Sequence, residues 1–226
     1  MTYSTSVNAI IAAARSLFRN RRSLVLMLAV YATLIVAIYL FVSTREATVS
    51  QLLLTLVTVV AAPALFFVLQ AVIVNSATTS RDLLKSSVKL LIVSAPVIAL
   101  TVGTVYGLNK IQTHPTIVTT VRYLCGAVIV PLLVVQLWIA VSNGGVRSLR
   151  KVLVRTFAPQ SMFVYACGFL IFAVVPYLLL HKTLTVQRPW LELSQLVVRL
   201  SLTAFLMLLG WALTVRALSI LNATKT

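Results

Sequence analysis

Carboxylates are almost missing from this chain. It has three, Glu46, Asp82 and Glu192, against 19 lysines and arginines. All three sit at or beyond the ends of apolar runs. Proton-coupled pumps usually place an ionisable residue within the membrane. Hydrolysis and divalent-metal binding call for paired carboxylates. Neither arrangement can be assembled from these positions. Histidine is just as scarce. His114 and His181 fall between apolar runs, so no transmembrane pair is there to ligate haem. The two cysteines, Cys125 and Cys167, lie inside apolar runs and read as small buried hydrophobes rather than a disulfide framework. Gly-x-Ser-x-Gly, His-Glu-x-x-His and phosphate-binding glycine loops do not occur. These absences argue against an enzyme and imply no cofactor and no metal.

What the chain has instead is apolar residues and positive charge. It is 60% hydrophobic and 10% charged over 226 residues, with a mean hydropathy of +1.04. Soluble domains carry about 25% charged residues, so a bilayer is the solvent that suits this balance. The formal net charge is +16. In a soluble chain that excess would suggest nucleic acid. Here the lysines and arginines lie between apolar runs, where they set orientation and attract anionic headgroups. No nucleic-acid partner is expected.

The reading is an all-α, polytopic membrane protein forming one membrane domain over residues 1–226. Residues 1–23 are expected to form a cytoplasmic amphipathic helix. Val7, Ile10, Ile11, Ala14, Leu17 and Phe18 recur at helical spacing there, with Arg15, Arg19, Arg21 and Arg22 gathered at the end. The apolar run that follows is too long for a signal-peptide core and reads as an uncleaved first span. Six transmembrane helices are expected at about 24–42, 51–74, 90–108, 121–142, 160–180 and 193–215. Pro63, Pro96, Pro131 and Pro176 fall inside four of them and predict kinks. Pro159 suits the first turn of the fifth.

Three basic stretches share the pattern Arg-x-Leu-x-basic at a spacing of 66 residues: Arg15 to Arg19, Arg81 to Lys85 and Arg147 to Lys151. Each precedes an apolar run, so each is expected to be a basic helix feeding a membrane hairpin. The same shift places Gln70 on Gln136, but from Gln136 it lands on Leu202. The spacing is consistent with a threefold hairpin repeat of about 66 residues, and equally with any six-span chain that has short loops. The excess of Lys and Arg in alternate loops puts both termini in the cytoplasm, and a bacterial cytoplasmic (inner) membrane is the expected location.

Few residues remain to carry function. Gln70 and Gln136 are polar groups within spans. They either line a path for a polar substrate or bridge two helices. Arg199 lies about two turns into the sixth span, on one face with Glu192. It serves either an anionic substrate or headgroup, or simply snorkels beside Glu192. The basic set Arg15, Arg19, Arg81, Lys85, Arg147, Arg150, Lys151 and Arg155 suits anionic inner-leaflet lipids or docking of a membrane or cytoplasmic protein partner. Gly103 and Gly107 form a small-xxx-small pattern that admits close helix packing.

The stretches Arg15–Arg22, Arg81–Lys89 and Gly145–Arg155, each followed by its span, resemble a broad group of uncharacterised six-span bacterial membrane proteins. That group includes the membrane domain found beside glycerophosphodiester phosphodiesterases. In those relatives the phosphodiesterase activity belongs to a soluble domain with acidic metal ligands. This chain has no such domain, so the resemblance implies an architecture and no activity. In outline the chain also looks like small permease subunits of ATP-driven exporters and substrate-binding subunits of vitamin importers. The loop Gly145 to Pro159 lacks the acidic residue of the ATPase-coupling loop in importers. The expected function is a non-catalytic membrane protein that binds or transports a hydrophobic or amphipathic molecule with a partner. The alternatives are a structural or assembly subunit of a larger complex and, third, an intramembrane enzyme.

Overall fold

The computed structural model describes residues 2–44, 48–75, 79–110, 114–143, 151–181 and 189–223. Every element among them is helical. In order they are α1 (Thr2–Arg19), α2 (Arg21–Ser43), α3 (Val49–Asn75), α4 (Ser80–Lys110), α5 (Pro115–Leu124), α6 (Val130–Asn143), α7 (Val152–Thr156), α8 (Pro159–Phe169), α9 (Val175–His181) and α10 (Pro189–Ala223). A π-helical turn, Cys125–Ile129, joins α5 to α6, and another, Leu170–Val174, joins α8 to α9. Six helical stretches are long and apolar enough to cross a membrane: Arg21–Ser43, Val49–Asn75, Arg81–Leu108, Pro115–Ser142, Pro159–His181 and Trp190–Ala223. The chain is a multi-pass, all-α protein of the expected class.

Local chemistry sets the boundaries. The Asn20 side chain accepts a hydrogen bond from the Ser23 amide at 3.2 Å, capping α2 and separating it from α1. His114 caps α5 ahead of Pro115. Pro159 opens α8 and Pro189 opens α10, because proline at the first helical position gives up no intrahelical bond. Inside a helix, proline does lose one, and its ring meets the carbonyl four residues back. At Pro131 and Pro176 the preceding turn widens: the amides of Val130 and Val175 reach back five residues, to the carbonyls of Cys125 and Leu170. The helices bearing Pro63 and Pro96 stay α-helical through them.

The basic stretches take different local forms. The first ends a helix of its own, α1. The second, Arg81–Lys89, is the opening of α4 and continuous with its span, so it is not the separate basic helix the sequence suggests. A helix former with no cap or breaker between Lys89 and Leu90 has no reason to stop there. In the third, only Lys151 and the short α7 lie within the described residues; Arg147 and Arg150 lie outside them. The sixth span also runs further than expected, to Ala223 rather than 215, because Ala217, Leu218 and Leu221 continue a buried face.

The chain resolves into two compact units. The first comprises Met1–Arg19 and Phe157–Thr226, hence α1, α8, α9 and α10; the second comprises Asn20–Thr156, hence α2 to α7. In the first unit, α1 packs on α10 and α8. Its buried face is Ser6, Ala9, Ala13 and Leu17, a set small enough for helices to approach closely. Val7, Ile11 and Phe18 point outward. The face expected to meet only the bilayer is therefore divided, with Leu17 turned into the protein. In the second unit, α3 packs on α2 and α4, and α6 packs on α4. Its buried residues concentrate in Phe67–Ile73 of α3, Leu90 and Ser94 of α4, and Leu132–Ala140 of α6.

Candidate functional site

In the second unit the in-span glutamines are both buried, each with 1% of its surface exposed, and each has an interaction partner within the chain. They sit on α3 and α6, which touch. Close to them an aromatic cluster joins the same two helices: Phe66, Phe67 and Trp138 have ring centroids 5.4 to 6.5 Å apart, edge to face. Trp138 Nε1 donates to Ser94 Oγ of α4 at 2.7 Å, and that hydroxyl donates to the Leu90 carbonyl at 2.6 Å. An indole N–H in an apolar core is costly unless bonded, so Ser94 fixes α4 against α6. Gln70 and Gln136 thus belong to a packed, satisfied core, which favours their bridging role.

The first unit holds the other candidates. Arg199 is half-buried on α10 and Glu192 is exposed in its first turn. Arg15 and Arg19 are exposed on α1. With Asn8, Ile11, Ala12 and Ser16 they line an open depression of about 490 Å³. It combines cations and hydroxyl or amide groups with apolar side chains on one surface. A second cavity, of about 20 Å³, lies where Ile10 of α1 meets Val164 and Gly168 of α8 and Thr214 and Ala217 of α10. At that size it has room for no more than about one water. Neither space is lined by Gln70, Gln136 or Arg199. In the second unit Arg81, Lys85 and Lys151 are exposed and Arg155 is half-buried.

Three features escaped the sequence reading. The first is Arg216 of α10, with only 7% of its surface exposed. Ser6, Ser161, Thr214 and Asn222 are buried in the same unit. A guanidinium at the end of an apolar run reads in sequence as an interfacial cation. The signal that could have separated the two is the apolar pattern continuing beyond it. The second is the pair of glycines that let the helices meet. A Cβ on Gly168 would collide with Thr214 Oγ1 and lie 2.8 Å from its Cβ, and one on Gly210 would lie 3.0 Å from the Phe172 backbone nitrogen. By contrast, Gly103 and Gly107 have nothing within 4 Å of that position, so among the described residues no helix uses them for close packing. Beside the Gly210 contact runs a second aromatic cluster, Tyr165, Phe169, Phe172 and Trp211, with centroids 5.3 to 6.2 Å apart. The third is Thr203, which is buried and whose hydroxyl has no hydrogen-bond partner among the described residues.

Among the described residues, no three His, Cys, Asp or Glu side chains gather as metal ligands. Cys125 and Cys167 are free and half-buried. No family model matches the chain, and neither a curated protein nor a solved structure matches it.

Proposed function

We propose that this chain is a non-catalytic integral membrane protein that binds an amphipathic molecule bearing a phosphate or similar anionic group and acts with a partner. Both termini lie on the cytoplasmic side of a bacterial inner membrane in this reading. The observation that carries it is the depression on α1, where Arg15 and Arg19 stand beside Ile11 and Ala12 on a helix packed onto α8 and α10. An amphipathic anion needs both kinds of surface at once. Each basic side chain near an anionic leaflet contributes about 1 kcal/mol, and the apolar flank adds burial of acyl surface.

A second reading, a structural or assembly subunit of a larger membrane complex, is favoured by the packed core around Gln70, Gln136 and Trp138. One experiment separates the two. Native mass spectrometry of the chain, gently extracted from its own membrane, is expected to show a retained phospholipid or related amphiphile. Replacing Arg15 and Arg19 by Gln, both exposed positions, is expected to reduce the retained anionic species roughly tenfold. Retention unchanged in that double variant would remove the observation on which the proposal stands. A stoichiometric protein partner without any retained amphiphile would establish the subunit reading instead.

A further inference from the structure

The longest helix carries a polar edge that the foregoing does not use. α10 has 35 residues, about 52 Å of α-helix, against a hydrocarbon layer of roughly 30 Å. The helix is longer than that layer, so its N-terminal end projects beyond the hydrocarbon, and Arg199, about 15 Å along the axis from Pro189, falls near the edge of the layer. Arg199 then stands at the phosphate level of the leaflet that meets the N-terminal end of α10. Trp190, exposed further out, suits the same interface.

Four side chains share this edge of the helix at spacings of three, four and four residues: Glu192, Gln195, Arg199 and Thr203. Glu192 is exposed, Gln195 and Arg199 are half-buried, and Thr203 retains 4% exposure. The edge therefore passes from open surface to a buried position one turn beyond Arg199. Threonines 33, 55, 58, 101, 104, 120, 156 and 214 each donate to the carbonyl four residues back. Thr203 does not, and its Oγ1 has no partner among the described residues. Helical side chains tilt toward the N-terminus, so this hydroxyl is directed toward the level of Arg199.

We infer that this edge holds the headgroup of one zwitterionic aminophospholipid. The inference rests on the reading given above and names the amphiphile for a second site of the same unit. The chemistry along the helix follows the chemistry of such a lipid from water inward. Its ammonium meets the Glu192 carboxylate. Its phosphate accepts hydrogen bonds from the Arg199 guanidinium, a planar fork suited to that oxyanion, with the Gln195 amide beside it. One turn deeper, the Thr203 hydroxyl is the donor for a glycerol ester oxygen. An anionic headgroup without an amine would satisfy Arg199 but leave Glu192 facing negative charge. That contrast produces selectivity.

The test is native mass spectrometry of the purified full chain in mild detergent, offered equal amounts of phosphatidylethanolamine and phosphatidylglycerol with identical acyl chains. The expected result is preferential retention of phosphatidylethanolamine. Glu192→Gln, at an exposed position, abolishes the preference while lipid is still retained. Arg199→Leu lowers retention of phosphatidylethanolamine roughly tenfold, and phosphatidylglycerol held at Arg15 and Arg19 stays. Equal retention by the native chain, or a preference that survives Glu192→Gln, overturns the inference. Should Arg199→Leu fail to fold by circular dichroism, the Glu192 variant still decides. A chain that retains phospholipid without headgroup preference loses this site and keeps the broader reading; one that retains no amphiphile loses both.

Discussion

The two units use their glycines in opposite ways. In the unit of α1 and α8 to α10, glycine and alanine are contact points. Gly168 lies against Thr214, Gly210 lies against Ile171 and Phe172, and Ala9 and Ala13 are buried where α1 packs. In the unit of α2 to α7, Gly103, Gly107 and Gly126 face open space. Cohesion there comes from large side chains, with Phe67 and Trp138 buried and the indole tied to Ser94. One unit is held by backbone proximity, which a single methyl destroys. The other is held by interdigitated side chains, which lose stability in proportion to what is removed. Helices in lipid gain little from the hydrophobic effect among themselves, so both solutions rest on packing and hydrogen bonding.

This contrast is sharpest at glycine. Gly168→Ala is expected to destabilise the protein by roughly 3 kcal/mol, because the added carbon meets three atoms of Thr214 at under 3.0 Å. Since one of those atoms is the Thr214 Cβ, rotation of that side chain cannot relieve the clash. Thr214→Gly should restore most of the loss, and a double-mutant cycle would show the coupling. Gly107→Ala is expected to be neutral or stabilising by up to about 1 kcal/mol, through helix propensity alone. The measurement is unfolding of the full chain in mixed micelles. Equal losses at Gly168 and Gly107 would refute the proposed difference between the units.

The same residues show how far sequence reasoning reaches. The six membrane-crossing helices were legible because an apolar run of sufficient length has few other uses, and Pro159 was legible as a helix start because its missing donor costs nothing there. The packing glycines were not. Gly103 and Gly107 have the spacing of a packing motif, whereas Gly168 and Gly210 stand singly in the sequence. Spacing identifies a face, but what that face meets is decided by tertiary contacts. Gln70 and Gln136 were legible as unusual residues, yet only their burial distinguished a core from a path. An arginine at the end of an apolar run normally snorkels, and the burial of Arg216 is decided by tertiary packing that the local sequence does not show. Basic residues 147 and 150 lie outside the described residues.

The side-chain-held unit should respond more gently. Ser94→Ala removes the acceptor of the Trp138 indole and leaves that N–H buried. The expected loss is about 1–2 kcal/mol, the cost of an orphaned neutral donor. Trp138→Phe in the Ser94→Ala background should cost less than in the native chain, because the polar group that needed a partner is then gone. A red-shifted or more quenchable indole fluorescence in Ser94→Ala would report the same event. If Ser94→Ala proved as damaging as Gly168→Ala, the second unit would depend on close approach as much as the first.

The smallest effects should come from the prolines, and they also set the units side by side, because each has a π-helical turn ending two residues before a proline: Leu170–Val174 before Pro176, and Cys125–Ile129 before Pro131. If the missing amide and the ring clash cause the wide turn, alanine at either site restores a donor and lets the turn close to α-helical bonding. In the second unit Pro131 is half-buried and no residue of Cys125–Ile129 is buried, so Pro131→Ala should be neutral or stabilising by less than about 1 kcal/mol. In the first unit Gly210 packs on Ile171 and Phe172 inside the wide turn. Closing that turn rotates the residues before it relative to those after it, and the tight contact cannot follow. Pro176→Ala is therefore expected to cost about 1 kcal/mol despite the regained hydrogen bond. Hydrogen exchange should show greater amide protection around residue 131 in the first variant and reduced protection around Gly210 in the second. Matching gains at both prolines would mean that the wide turn of the first unit only accommodates its proline and takes no part in the packing of Gly210.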